Sequence, residues 1–266
     1  MDSEIKIQPK TVSILGCGWL GTPVAFQLAE SGCEVKGSST SDEKINRLSK
    51  TGIETYFLDL NHDNIPVLQD FLESEILIFT VPTSKVNLEA LKNFLFKVNF
   101  SDVKKVILIS TTAVYNNHPH PITEDDKDLI NQDHPAFQIE QAFSELGIDL
   151  IILRMAGLIG AGRDPRNFSK SPKVLNAPNG RINFIHLNDC IRIIQNLLEK
   201  DHWNEVYNCC MNEHPTKKEF YTQISTNPSL RFSETTDTTF KIIDNQKIKN
   251  HLNFDFIELY QSIHLP

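Results

Sequence analysis

Short apolar runs alternate with amphipathic stretches over the first half of the chain. Val12, Ile14 and Leu15 make a first buried run, and Leu20, Val24 and Leu28 follow it at helical spacing. A second strand begins at Glu34–Lys36. Thr40-Ser-Asp-Glu43, with a hydroxyl and a glutamate three residues apart, predicts a capping box that opens a helix reaching Lys50. Glu54–Leu58 reads as a strand, Asn64–Leu72 as a helix with proline in its first turn, and Ile76–Val81 as a buried strand. An amphipathic helix over Val86–Val98 leads to the strand Val106–Ser110, and Asp149–Arg154 is a sixth strand. This alternation predicts an α/β fold, a Rossmann-type doubly wound parallel sheet.

The rhythm changes at Gly157. From there to Asn183 the chain is punctuated by Gly160, Gly162, Gly180, Pro165, Pro172 and Pro178, and it reads as loop and small lobe. Order returns with a strand over Ile182–His186, a helix capped by Asn188 that runs to Lys200, a strand over Glu205–Cys209 and a helix starting near Thr216. The tail segments Lys241–Asn245 and Lys247–Leu252 read as helical pieces with no assignable chemistry.

The first strand ends in Gly16-Cys-Gly-Trp-Leu-Gly21, the spacing G-x-G-x-x-G at a strand-to-helix turn. Each glycine has a role in a dinucleotide site: a tight turn, close approach of a pyrophosphate, and close packing of helix on strand. Phosphate would sit on the helix N-terminus, where unpaired N–H groups and the helix dipole favour negative charge. Pro23 suits the first helical turn and Gly32 the C-cap, so the context is that of a nucleotide-binding βαβ unit. The dinucleotide-binding half then spans residues 1–160, completed by 182–212. Residues 161–181 and 213–266 form a small C-terminal substrate lobe.

Composition removes several alternatives. At 266 residues with 40% hydrophobic and 23% charged positions, the chain has the make-up of an ordinary globular protein. A formal charge of −8 with no basic run argues against a nucleic-acid partner. The polar start Met1-Asp-Ser-Glu-Ile-Lys6 does not read as a signal peptide, and the apolar runs are too short to span a bilayer, so a cytoplasmic location is expected. The five cysteines, Cys17, Cys33, Cys190, Cys209 and Cys210, form no C-x-x-C pair and read as small apolar fillers, with no metal expected. A small-molecule substrate is the expected partner, and a homodimer is left open.

Ligands of open parallel sheets bind at the carboxyl ends of the strands. There the sequence resembles the atypical branch of the extended short-chain dehydrogenase/reductases, the NAD-dependent epimerase/dehydratase group. Five pieces carry the resemblance, in order: Gly16–Gly21; Ser110-Thr-Thr-Ala-Val-Tyr115; Ile152-Leu-Arg-Met-Ala-Gly157 with Gly160-Ala-Gly-Arg163; Asn183-Phe-Ile-His-Leu-Asn-Asp189; and Val206-Tyr-Asn208. The resemblance implies that Thr111 is the catalytic hydroxyl beside the nicotinamide. It implies cofactor contacts from Gly16, Cys17, Gly18, Trp19, Leu20 and Gly21, from Asp59, Thr80, Val81, Pro82 and Ser110, and from Ala156, Gly157 and Leu158.

The family's Tyr-x-x-x-Lys pair is missing, because counting back from Arg154 through Glu140 places those positions on Gln132 and Ala136. Tyr115, His118, His120 and His134 lie in or beside the loop facing the expected substrate pocket, and Tyr115 is the second catalytic candidate. The second strand ends in Gly37-Ser-Ser-Thr-Ser41 instead of a carboxylate, with Lys36, Lys44 and Arg47 nearby. Ser38, Ser39 and Thr40 there suit a 2′-phosphate, so NADP is preferred over NAD. Arg163 and Arg166 could meet an anionic substrate group, and His186 is a substrate candidate that also reads as a structural histidine.

The expected function is that of an NADP-dependent oxidoreductase or epimerase/dehydratase-like enzyme acting on a small carbonyl or sugar-like compound. A non-catalytic NAD(P)-binding sensor is the alternative. A hydroxyacid dehydrogenase shares the glycine fingerprint but would carry a long all-helical second half.

Overall fold

The computed structural model describes residues 10–61, 65–169, 174–200, 202–234 and 240–265. The polar start at 1–6, Asn64 and Pro172 lie outside the described residues. A seven-stranded parallel sheet is the frame, formed by β1 (Thr11–Leu15), β2 (Glu34–Ser39), β3 (Glu54–Phe57), β4 (Ile76–Phe79), β5 (Lys105–Thr111), β6 (Asp149–Met155) and β10 (Glu205–Cys209). Its order, β10-β6-β5-β4-β1-β2-β3, reverses direction between β1 and β4, the switch point where such sheets bind ligands.

β1 and β4 are central, and both are apolar enough to be buried on both faces. All four residues of Ile76–Phe79 are buried. Ser13 is the polar exception in β1, and its hydroxyl is satisfied at 2.5 Å by the Phe71 carbonyl. The helices α1 (Gly21–Glu30), α2 (Asp42–Ser49), α3 (Ile65–Phe71), α4 (Leu88–Lys97) and α5 (Pro135–Ser144) follow the strands in turn. The core against the sheet includes Phe71, Phe79, Leu91 and Phe143, with the rings of Phe79 and Phe143 edge to face at 5.0 Å.

The chain divides into two compact units. Unit 1 comprises 1–110, 132–153 and 191–206, and unit 2 comprises 111–131, 154–190 and 207–266. Unit 2 takes 111–131, 154–160, 182–190 and 207–212, which the sequence places in the dinucleotide-binding half. It contains β7 (Gly157–Ile159) paired in parallel with β9 (Phe184–His186), and β8 (Val174–Leu175) paired with β11 (Arg231–Phe232). The helices α7 (Lys217–Ile224), α8 (Gln246–Leu252) and α9 (Leu259–Ser262) belong to it as well, and α6 (Leu187–Glu199) begins there. Strands in this part of the chain speak against the hydroxyacid dehydrogenase reading. Ile159, Met211, Phe220 and Leu259 centre the apolar core of unit 2.

Three local expectations change. The capping box at Thr40 is not formed: Ser41 is the N-cap of α2, in extended backbone and without a side-chain cap bond. Asn188 does not cap α6. The ring of His186, just before the helix, accepts the Asn188 amide proton at Nδ1 instead, at 3.1 Å. Residues 241–245 are not helical, and Ile243 is bridged in parallel to Ile122. The capping box that does form is at Thr216, where hydroxyl and Glu219 satisfy each other's backbone N–H. Among the described residues, no helix is long and apolar enough to cross a membrane.

Candidate functional site

The glycine loop belongs to unit 1, and its three glycines are held for different reasons. Gly16 has φ +101°, and a Cβ there would lie 2.8 Å from Val81 Cγ2. A Cβ on Gly21 would lie 2.5 Å from the Gly16 carbonyl oxygen and 2.7 Å from Thr80 Oγ1. Chain packing therefore requires both glycines. Gly18 differs: a Cβ there would meet nothing closer than the Gly16 oxygen at 3.8 Å. The protein itself does not need that side chain to be missing.

Neighbouring strands hold the loop through polar groups. The Gly16 amide donates to Ser38 Oγ at 3.1 Å, and the Cys17 amide donates to the Ser38 carbonyl at 2.6 Å. Thr80 Oγ1 donates to the Gly16 carbonyl at 2.6 Å. Ser38 and Thr80 thus shape the turn from behind, with Val81 packed on Gly16. Cys17 is buried under the loop, and burial pushes its thiol up to about 12. Leu20 is buried too, while Trp19 is partly exposed.

The polar end of β2 is divided in use. Ser38 and Ser39 are buried, and Ser39 Oγ accepts the Ser41 amide at 3.2 Å. Thr40 and Lys44 are exposed, and Lys44 lies close enough to Cys17 to act on its thiol electrostatically. Lys36 is committed elsewhere, donating to the Asp70 carbonyl at 2.6 Å and resting over the Tyr56 ring. Asp59, past the end of β3, accepts from both nitrogens of Asn61 at 3.0 and 2.9 Å. Pro82 is exposed and leads into a short 3₁₀ turn.

At the end of β5, Ser110 is buried and donates to Glu140 Oε1 on α5 at 2.5 Å. Thr111 remains partly exposed, and its Oγ1 accepts the Ala113 amide at 3.1 Å, which leaves its own proton free to donate. Gln132 is exposed, whereas Ala136 is 1% exposed inside α5. His134 caps that helix, its Nδ1 accepting the Ala136 amide at 3.2 Å. His118 Nδ1 accepts the His120 amide at 3.3 Å, and His120 is exposed.

Unit 2 holds Tyr115 in a buried polar network. Arg154 donates to the Tyr115 hydroxyl at 2.6 Å, and that hydroxyl donates to Asn208 Oδ1 at 3.0 Å. The Asn208 amide donates to Glu124 Oε1 at 2.6 Å, and its side chain reaches the Ile122 carbonyl at 3.2 Å. Burial raises both the Tyr115 hydroxyl and the Glu124 carboxyl.

The segment after β6 is anchored by the Ala156 amide on the Cys209 carbonyl at 2.9 Å; Gly157 is exposed and Leu158 partly so. Arg163 is exposed on the turn Gly160–Arg163, and Arg166 is paired with Asp164 at 2.8 Å. His186 is fully buried. Its Nε2 has no hydrogen-bond partner, and burial lowers its pKa.

Sequence reasoning missed Lys241. Its ammonium donates to the Thr112 carbonyl at 3.2 Å and to the Tyr115 carbonyl, on the turn that follows β5. Those acceptors are backbone carbonyls more than 120 positions away. They leave no mark in the residue pattern that could have revealed the contact.

No protein-family model matches the chain. It is 28% identical over 263 residues to protein YeeZ of Escherichia coli K12, covering 93% of this chain and 96% of that protein. A Methylobacillus flagellatus structure provisionally named as an NAD-dependent epimerase/dehydratase superposes with TM-score 0.76 at 21% identity over 94% of each chain. The Bacillus cereus UDP-glucuronic acid 4-epimerase, in complex with NAD, superposes with TM-score 0.72 at 16% identity over 95% of this chain and 96% of that one. The fold is therefore the one implied by the resemblance to extended short-chain dehydrogenase/reductases.

Proposed function

We propose that this chain binds a nicotinamide dinucleotide on the Gly16–Gly21 loop, NADP in preference to NAD, and works as an oxidoreductase or epimerase/dehydratase-like enzyme on a small carbonyl or sugar-like compound. Gly18 carries the reading. Its missing side chain serves no contact within the chain, whereas a pyrophosphate needs that backbone bare. The fold supports it, since structures sharing the fold include one in complex with NAD. Ser38, Thr80 and Val81 act here by shaping the loop. Thr40, Lys44 and Arg47 are exposed groups suited to a 2′-phosphate.

When bound, the nicotinamide supplies hydride acceptance or donation. Thr111 does the chain's own part, donating its hydroxyl proton as a hydrogen bond to a substrate oxygen whose charge changes. Gln132 and Ala136 supply no acid/base pair. Tyr115 is tied to Arg154 and Asn208, so the reaction is assigned to Thr111 and not to a tyrosine relay.

The polar but non-titrating Gln132 and the buried Ala136 are also what a non-catalytic sensor would carry, and this is the second reading. The proposed partner is a small molecule, in keeping with the formal charge of −8, and the proposed location is the cytoplasm. The decisive experiment is calorimetric titration with NADPH and NADH, followed by assay of NADPH oxidation across a panel of aldehydes, ketones and oxidised sugars. Turnover that Thr111→Val removes while NADPH binding stays intact supports the enzyme. Binding without turnover on any compound supports the sensor, and no binding of either nucleotide overturns both.

A further inference from the structure

We propose that Lys241 is the substrate-binding cation of unit 2, holding an anionic oxygen of the substrate, carboxylate or phosphate, at the turn that follows Thr111. This rests on the enzyme reading above, to which it adds a substrate class.

The ammonium has three donors, and the carbonyls of Thr112 and Tyr115 take two of them. Carbonyls solvate a cation but carry no net charge. Among the described residues, no carboxylate forms an ion pair with Lys241, whereas Lys36 is paired with Asp70 and Arg166 with Asp164. The residue is partly buried, and desolvation is the sole cause lowering its pKa. A cation withdrawn from water without a counter-ion is unfavourable. A clamp on the turn would use only the two carbonyl bonds and would leave the charge and the third donor without a purpose.

Placement supports a ligand role. The turn lies at the carboxyl end of β5, the ligand side of a parallel sheet. The segment bearing Lys241 is held on both sides by Asn183, whose Nδ2 donates to the Lys241 carbonyl at 2.7 Å and whose Oδ1 accepts the Ile243 amide at 3.1 Å. The Ile122 amide donates to the Ile242 carbonyl at 2.8 Å, and the Asp244 amide donates to the Ile122 carbonyl at 2.9 Å. A charged group on so fixed a segment is preorganised for a charge-assisted hydrogen bond to an anion.

The test uses the full chain saturated with NADPH, so that the glycine loop is filled, and three probes: inorganic phosphate, pyruvate and the uncharged methyl pyruvate. In the unsubstituted protein, phosphate or pyruvate is expected to shift the amide resonances of Thr112, Ala113 and Tyr115 in a saturable manner, with no such shift from the ester. Lys241→Met is expected to weaken the anion by about tenfold or more, and Lys241→Arg to keep it within about threefold.

Saturable binding of neither anion by the unsubstituted protein overturns the proposal, and this readout does not depend on any variant folding. Equal anion binding by a folded Lys241→Met protein overturns it too, leaving a clamp only. NADPH affinity is read on the same samples. Retained NADPH binding with no anion shift sinks this inference alone, and absent NADPH binding sinks the cofactor reading instead.

Discussion

Arg154 donates a hydrogen bond to the Tyr115 hydroxyl at 2.6 Å, and its guanidinium lies 4.9 Å from the centre of the same ring. The tyrosine is thus held through both its polar tip and its face. Tyr115→Phe removes an acceptor from Arg154 and the donor to Asn208, inside a site where Tyr115 is 2% exposed. Urea unfolding should show a loss of about 1–3 kcal/mol, with NADPH affinity unchanged. If turnover collapsed while stability held, Tyr115 would be a proton donor after all.

The glycine loop separates packing from binding. Gly18→Ala places its methyl group no closer than an ordinary 3.8 Å contact with the Gly16 oxygen, so the thermal midpoint should stay within about 2 °C while NADPH affinity falls by about tenfold or more. Gly21→Ala drives a Cβ to 2.5 Å from the Gly16 oxygen, and a stability loss of about 1–3 kcal/mol is expected from overpacking. Differential scanning fluorimetry with and without NADPH distinguishes the two outcomes. Equal behaviour of the two variants would remove the special role given to Gly18.

Nucleotide preference should respond to Lys44. Replacing it with Ala is expected to weaken NADPH by about tenfold and leave NADH within about twofold, because only NADPH brings the 2′-phosphate charge. Competition titrations with both nucleotides provide the measurement. A uniform effect on the two would place Lys44 away from the phosphate.

Acid should weaken the fold through His186. Its pKa is lowered by burial, so the unfolded chain binds the proton more readily than the folded one. Its neutral state contributes fully above the ordinary histidine value near 6.5, and that contribution is lost progressively as pH falls below it. His214 has the same sign for the same reason. His186→Asn keeps a side chain able to accept the Asn188 amide proton, so denaturant midpoints between about pH 7 and pH 5 should slope less in that variant than in the parent. An unchanged slope would mean that His186 does not titrate in this range.

The five cysteines are buried and free, and those below the surface have thiols raised by burial, Cys17 to about 12. Native protein should therefore react with an aromatic disulfide reagent only slowly, and all five should react once it is unfolded. Protection of Cys17 by NADPH, followed by peptide mapping, would report opening of the loop above it.

Legibility in the sequence followed how local each cause was. Val12–Leu15, Ile76–Phe79 and Val106–Leu108 were readable because a run buried on both faces must be apolar wherever it sits in the chain. The polar end of β2 was readable as strand but not in its use, because only the fold shows that Ser38 is buried as a polar support for Gly16. The α6 cap was misplaced by two residues. Asparagine is the commoner cap, but the ring of His186 already accepted the amide that needed capping. Lys241 was unreadable for a different reason, since any long polar side chain can reach a carbonyl and only the folded path shows which one it reaches.

The bonds from Lys241 to Thr112 and Tyr115 bridge 129 and 126 positions of sequence. Their span sets a timetable for synthesis. The turn after β5 leaves the ribosome early but stays unfastened until residue 241 follows it, so this part of unit 2 cannot close before that residue has been made. A chain cut just before residue 241 would keep the sequence of all seven strands of the central sheet and still have a proposed substrate turn that had never been tied down.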